Sequence, residues 1–383
     1  MTTKLNNLPA IVQSLSDAPD AVPGAPPAKP RGWFRRWWWA VAIVTVVAVI
    51  ASTLAWSLMT YVPYVIEAPG NLYTTGDRIT VAGAQTYPTN DKIDLVTVTL
   101  DTRVTRFEKF LADHDGDDVV LPAAPILGNQ TPAQNDALNA LFMKQSKDNA
   151  VLVALDKLGY NAKGVPSGAI VEATETGAPA NGVINIAETI VAINDKPVAS
   201  TADLKTVLGA FKQGDRVTVT LEAAADRARR TVQITLADNP NAPGVGYLGV
   251  SVDNRLDFPD VAAKVTVDSG AIGGPSAGLA FTLGILDAMT PGDLTGGHEV
   301  AATGTIDPDG TVGEIGGIES KVTTVSRQHV KYFLVPVEDA DAAKAKAPKD
   351  LQIVPVHTLS DALNFLASIG GAALPAAATS SGS

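Results

Sequence analysis

Thirty consecutive positions from Trp37 to Ile66 carry no charge and are dense in Val, Ala, Ile and Leu. That run exceeds the ~20 apolar residues that a helix needs to cross a bilayer. Trp37, Trp38 and Trp39 at one end and Tyr61 and Tyr64 at the other suit the two membrane interfaces, and Pro63 marks the helix exit. The pattern predicts a membrane-spanning helix over 37–62. A cleaved signal peptide would have a shorter apolar core and a leader much briefer than 36 residues, so a retained anchor is expected.

Beyond the span the pattern changes period several times. Ile93–Leu100 (IDLVTVTL) alternates like a strand, and Ala133–Leu158 repeats apolar residues at helical spacing. With the segments around them they make 67–160 a mixed α/β region. Asp113–Asp118 resembles part of a calcium loop but lacks the closing glutamate, since Leu121-Pro122-Ala123 follows, and reads as an acidic surface turn. Between 161 and 237 the elements are short. Gly168–Val171 is a strand, Ile190–Val198 a strand, turn and strand, and Ser200–Phe211 an amphipathic helix with Leu204, Val207 and Leu208 inward. Asp215–Leu221 and Arg230–Leu236 are a closing strand pair. Asn239–Pro243 reads as a linker into a domain over 244–369. Residues 8–31 and 370–383, rich in Ala, Pro, Ser and Gly, read as disordered tails, with the first 36 residues forming a cytoplasmic tail.

Charge sets the orientation expected for the span. Lys4, Lys29, Arg31, Arg35 and Arg36 against Asp17 and Asp20 give the first 36 residues 5 − 2 = +3, while the whole chain carries −11. Basic residues before the span keep the N-terminus cytoplasmic and send the rest outside. An acidic body argues against nucleic-acid binding. Cysteine is absent from the 383 residues, which excludes cysteine nucleophiles and thiolate metal sites. No cofactor or metal is expected, because neither clustered ligands nor a phosphate-binding glycine loop is present in the sequence.

The chemistry concentrates in the last domain. Val265–Gly278 (VTVDSGAIGGPSAG) delivers Ser276 through Gly274 and Pro275 to Ala277 and the start of a helix, Leu279–Met289. A helix start offers unpaired N–H groups for a developing oxyanion. A serine needs a base, and none of His114, His298, His329 and His357 stands beside an evident orienting acid. Lys321 follows the glycine-rich Gly313–Ser320 and opens a helix with Val322 and Val325. Burial there would lower its pKa and let the neutral amine accept a proton.

The two segments together resemble the proteolytic domain of Lon-type serine proteases. In that family the serine of Gly-Pro-Ser-Ala-Gly is the nucleophile, and a lysine about this far downstream, 321 − 276 = 45 positions here, is the base. Ala302–Ile306, Gly310–Gly317 and Phe333–Pro336 follow the family's strands and turn, and Thr303 matches a threonine that holds the lysine near the serine. Gly274, where many relatives carry Asp before the Gly-Pro or Pro-Ser step, and Glu319-Ser320 depart from the pattern. The 161–237 module resembles a PDZ domain, which implies capture of a peptide by strand addition. The anchor–PDZ–Lon order resembles the membrane-bound YlbL-like branch of bacterial peptidases.

The fold class expected is therefore α+β: one N-terminal transmembrane helix, a PDZ-like β-rich module and a C-terminal Lon-type domain. The expected function is an ATP-independent serine endopeptidase of a bacterial cell membrane, acting on protein or peptide substrates by a Ser276–Lys321 dyad. Thr303, Gly274, Pro275 and Ala277 support the dyad. Ring assembly, as in the family, is left open. The competing reading is an inert anchored PDZ scaffold that binds protein C-termini.

Overall fold

In the computed structural model, residues 33–90, 92–127, 132–224, 226–258 and 261–375 are described. The tail expected over 8–31, and residues 376–383 of the one expected over 370–383, lie outside them. The chain divides into one unit up to Trp56 and a second from Ser57 onward. The first is dominated by helix α1 (Trp33–Met59), whose 27 residues rise about 40 Å. From Trp37 it is exposed on nearly every face, as a lipid-facing helix is, and it is the one described helix long and apolar enough to cross a membrane.

The second unit opens with β1 (Tyr64–Thr74), β2 (Ile79–Ala82) and β3 (Ile93–Asp101), then α2 (Arg106–Ala112), β4 (Val119–Pro122), α3 (Ala123–Leu127) and the long α4 (Pro132–Lys157). A β-rich module follows: β5 (Val165–Thr174), β6 (Thr189–Ile193), β7 (Lys196–Pro197), α5 (Thr201–Leu208), β8 (Arg216–Glu222), β9 (Arg229–Thr235), β10 (Ala237–Asn239), β11 (Ala242–Tyr247) and β12 (Val250–Asp257). The chain then returns through β13 (Lys264–Val267) to α6 (Gly278–Met289), β14 (Val300–Ala302), β15 (Thr305–Ile306) and β16 (Val312–Gly313). It ends with α7 (Ile318–Arg327), β17 (Tyr332–Pro336), α8 (Ala340–Lys346), β18 (Gln352–Val356) and α9 (Leu359–Ser368).

The expected α+β class stands, but the segments combine differently from the sequence division. Residues 67–160 do not stand apart from the last domain: β1, β3 and β4 join its strands in one sheet of order β18-β17-β14-β3-β1-β4. Such pairing is long-range and leaves no local signature. The β-rich module is thus inserted within a larger domain, whose β13 returns to pair with β2. Its own sheet, β12-β5-β6-β8-β9, also reaches past residue 237, because β12 pairs with β5. The stretch read as a linker, 239–243, instead turns the β10–β11 hairpin. Residues 371 and 372 bond back to Leu366 and Asp293, so the final tail begins later than 370.

Period-two alternation sorts the main sheet into two covered faces. Leu95, Val300, Ala302, Leu334 and Val354 pack in one apolar cluster with α4 and α6. Their neighbours Val96, Ala301, Phe333 and Val335 pack in another with Val322 and Val325 of α7. Covering on both sides explains why Ile93–Val96 is buried at all four positions despite its alternating look. The β-rich module has its own core of Val171, Ile190, Ile193, Leu204, Val219 and Leu221. Asn194 and Asp195, both at positive φ, make its tight β6–β7 turn.

Candidate active site

Helices α6 and α7 lie on opposite faces of the main sheet, and the turn before α6 and a side chain of α7 both reach the C-terminal end of the short parallel strand β14. Thr303 directly follows that strand and is fully buried. Its hydroxyl donates to the carbonyl oxygen of Ser276 at 3.1 Å. It accepts from Lys321 Nζ, also at 3.1 Å. The carbonyl of Ser276 takes a second bond from the Gly304 N–H at 2.9 Å. Thus the serine's backbone is pinned to the β14 end, and the lysine reaches the same point from the other layer.

The bond directions decide what the amine is free to do. The threonine has one hydroxyl proton, and it is committed to the Ser276 carbonyl. Lys321 must therefore be the donor in its bond to Thr303, which leaves the lone pair of a neutral amine unused. Lys321 is only 2% exposed. Burial pulls its pKa down to about 8, against the opposing negative fields of Glu67 and Asp339.

Ser276 is half-buried in the turn two residues before α6. The approach to α6 is close: a β-carbon on Gly278 would sit 2.8 Å from Ile306 Cγ2 and 3.1 Å from Ser146 Oγ. Ser146, on α4, donates to the Pro275 carbonyl at 2.8 Å, and the Gly274 N–H donates to the Asn139 carbonyl at 3.0 Å. The Gly274-Pro275 approach is therefore held by α4. Among the described residues the N–H groups of Ser276 and Ala277 donate no hydrogen bond, and no hydrogen bond joins the Ser276 hydroxyl to Lys321. Both side chains line one open cleft of about 1240 Å³, with Gly274 and Pro275 at its edge.

Two cleft residues were missed by sequence reasoning. Glu67 on β1 is a buried carboxylate against the start of α7, where a β-carbon on Gly317 would come within 2.9 Å of its oxygens. Gly317 caps α7 at φ 74°, a conformation that suits glycine. Asn139, more than a hundred residues before the serine in sequence, holds the Gly274 turn. Neither carried a local motif. None of the histidines lines the cleft. The acidic turn 113–118 engages Lys109 and Arg327 instead. Among the described residues no cluster of three or more His, Cys, Asp or Glu is placed to hold a metal.

Comparison with known proteins bears on this region. Residues 251–368, which contain Ser276, Thr303 and Lys321, match the family model of the Lon protease (S16) C-terminal proteolytic domain. Over 109 residues the chain is 33% identical to the Lon protease of Neorickettsia sennetsu, covering 28% of this chain and 13% of that protein. Over 119 residues it is 34% identical to Lon protease 1 of Sorangium cellulosum, covering 30% of this chain and 14% of that one. The chain thus spans about one seventh of the length of the curated relatives it matches. Among solved structures, the PDZ domain of an SdrC-like protein from Listeria monocytogenes is similar at 18% identity and a TM-score of 0.20, covering 22% of this chain and 87% of that one. The corresponding Listeria innocua domain is similar at 19% identity and the same TM-score of 0.20, covering 22% of this chain and 92% of that one.

Proposed function

We propose, from the match of residues 251–368 to a Lon-type proteolytic domain, that the chain is a membrane-anchored serine endopeptidase that works without ATP. Ser276 is the nucleophile and Lys321 its general base. The observation that carries the reading is the buried lysine, its amine lowered to about 8 and tied through one threonine to the backbone of the serine. A lysine in that state has no structural return, since burying its amine costs stability, whereas a general base needs a pKa near working pH.

In the reaction, the neutral amine of Lys321 takes the Ser276 hydroxyl proton as Oγ attacks the substrate carbonyl. The N–H groups of Ser276 and Ala277 meet the developing oxyanion at the mouth of α6. The ammonium then gives its proton to the leaving amine. The acyl-enzyme is released by water, deprotonated by the same lysine. Thr303 keeps the amine aimed through both half-reactions. Sequestering Lys321 from water makes its proton transfers local to the cleft.

The chain itself holds no nucleotide-binding glycine loop, so substrates would enter as already unfolded or extended segments. The β-rich module offers a way to gather them. Among the described residues β12 pairs only with β5, leaving its outer edge unpaired. Val207 and Leu208 of α5, and Val250 and Val252 of β12, are partly buried apolar residues on its core. A peptide added along β12 would bury its side chains against α5. With basic residues ahead of α1, the cytoplasmic N-terminus leaves both modules outside the cell.

The test is cleavage of an unfolded protein by the full chain in detergent without nucleotide. Cleavage that disappears in Ser276→Ala and is indifferent to ATP supports the proposal. Equal cleavage by Ser276→Ala overturns it.

A further inference from the structure

Helix α2 plays no part in the cleft, yet it turns apolar side chains outward. Phe110 is 57% and Leu111 is 52% exposed, side by side on a helix of seven residues. Large apolar residues exposed together on a soluble surface call for an occupant. The position of α2 says which one.

The segment that starts α2 is stitched to the residues that follow α1. The Val62 N–H donates to the Val104 carbonyl, and the Arg106 N–H donates to the Thr60 carbonyl, each at 2.9 Å. Tyr61 bridges Thr105 in an antiparallel pair. The Arg103 guanidinium sits 5.3 Å from the Tyr61 ring centre, and Lys109 Nζ is 4.6 Å from that of Tyr64. A capping box between Thr105 and Glu108 fixes the first turn. Thr60 follows Met59, the last residue of α1. A chain that leaves a bilayer at Met59 therefore holds α2 beside the point of exit.

We infer that α2 is a foot that rests on the surface of the lipid bilayer crossed by α1, with Phe110 and Leu111 inserted at the headgroup boundary. The proposal rests on the anchored reading. Its chemistry is that of an interfacial contact: two apolar anchors, exposed Tyr61, and the cations Arg103, Arg106 and Lys109. The carboxylates Asp113 and Asp115 at the far end of the helix keep the contact shallow, because they cannot follow the apolar pair into hydrocarbon. The foot also sets where substrates are met. Glu67 of the cleft lies eight residues beyond Met59, a span of at most about 28 Å of extended chain. The cleft then works on segments close to the membrane.

The chain has no cysteine, so one introduced thiol can carry a unique label. Phe110→Cys, Leu111→Cys and, within α1, Val47→Cys are each labelled with an environment-sensitive fluorophore in the full chain. Each is placed in phosphatidylcholine vesicles with and without headgroup-region spin-labelled lipid. The expected result is a blue shift at 110 and 111 relative to water, with loss of emission when the spin-labelled lipid is present. If the Val47 label is blue-shifted while 110 and 111 stay water-exposed, the anchor stands and the foot is overturned. The foot is equally overturned if 110 and 111 are shielded but out of reach of the lipid quencher, as a protein partner or a second copy would leave them. If the Val47 label stays water-exposed as well, the anchored reading fails and the foot with it.

Discussion

Replacing Lys321 by methionine should make the protein more stable and inactive at once. The amine is 2% exposed, and burial lowers its pKa from the ordinary 10.5 to about 8. At ~1.4 kcal/mol per pKa unit, holding the charged form in that site at neutral pH costs about 3 kcal/mol. Methionine is unbranched and fills a lysine's path without a charge. It leaves the Thr303 oxygen without its donor, which costs about 1 kcal/mol. The net expectation is about 2 kcal/mol of stabilisation, or several degrees in Tm. The pH dependence is as specific. Between about 8 and 10.5 the unfolded lysine holds its proton while the folded one has lost it. The stability of the parent therefore climbs with pH across that window, and the variant, lacking the group, does not follow. Its advantage is full below about 8 and shrinks above it. The assay is a far-UV circular dichroism melt of the full chain in detergent at pH ~7 and ~9.5, on either side of the folded value. Tryptophan fluorescence would not serve, because all five tryptophans lie between residues 33 and 56. A Lys321→Met protein less stable than its parent at neutral pH would show that the buried charge carries no such cost. So would an advantage that does not shrink at alkaline pH.

Further outcomes follow from neighbouring groups. Glu67→Gln removes the first of the two negative fields that hold the Lys321 pKa up, so the alkaline rise of peptidase activity should move to lower pH in a pH–rate profile; an unchanged or alkaline-shifted profile would count against it. Gly278→Ala would push a methyl to 2.8 Å from Ile306 Cγ2, and should cost about 1–3 kcal/mol in a thermal melt and reduce cleavage by shifting the Ser276 turn. Ser320 is 1% exposed and its hydroxyl has no hydrogen-bond partner among the described residues, so Ser320→Ala should be neutral or stabilising by about 1 kcal/mol in the same melt, with activity kept. For topology, a protease added outside intact spheroplasts should digest residues 67–383 and spare the N-terminal tail, whereas a protected C-terminal domain would reverse the proposed orientation.

Where local chemistry decides, the sequence was readable. Ser200 caps α5, which ends at Leu208, three residues short of the expected Phe211, and α4 runs 132–157, within a residue of the expected 133–158 at each end. Ser276 and Lys321 were singled out from glycine-rich context, because tight turns and helix starts write themselves into adjacent residues, whereas Thr303 was singled out only through the resemblance to Lon-type domains. What escaped was carried by distance along the chain. The pairing of β3 with β14 joins residues some two hundred positions apart, and nothing in Ile93–Leu100 names that partner. Glu67, just past the span, carried no motif; only the approach of Gly317 marks it as a buried carboxylate of the cleft. The strand β12 was assigned to the wrong module for the same reason, since its partner β5 lies before the helix and strands that separate them.

Covalent capture of the nucleophile tests the Ser276–Lys321 mechanism at its root. The full chain in detergent is incubated with a fluorophosphonate at pH ~7 and ~9, either side of the Lys321 value of about 8, and the adduct is located by peptide mass spectrometry. The mechanism requires a single adduct on Ser276 that forms faster at the higher pH, is absent in Ser276→Ala and is largely lost in Lys321→Met. An adduct on Ser276 that forms equally fast without Lys321, or cleavage by a protein whose Ser276 never reacts, would rule it out.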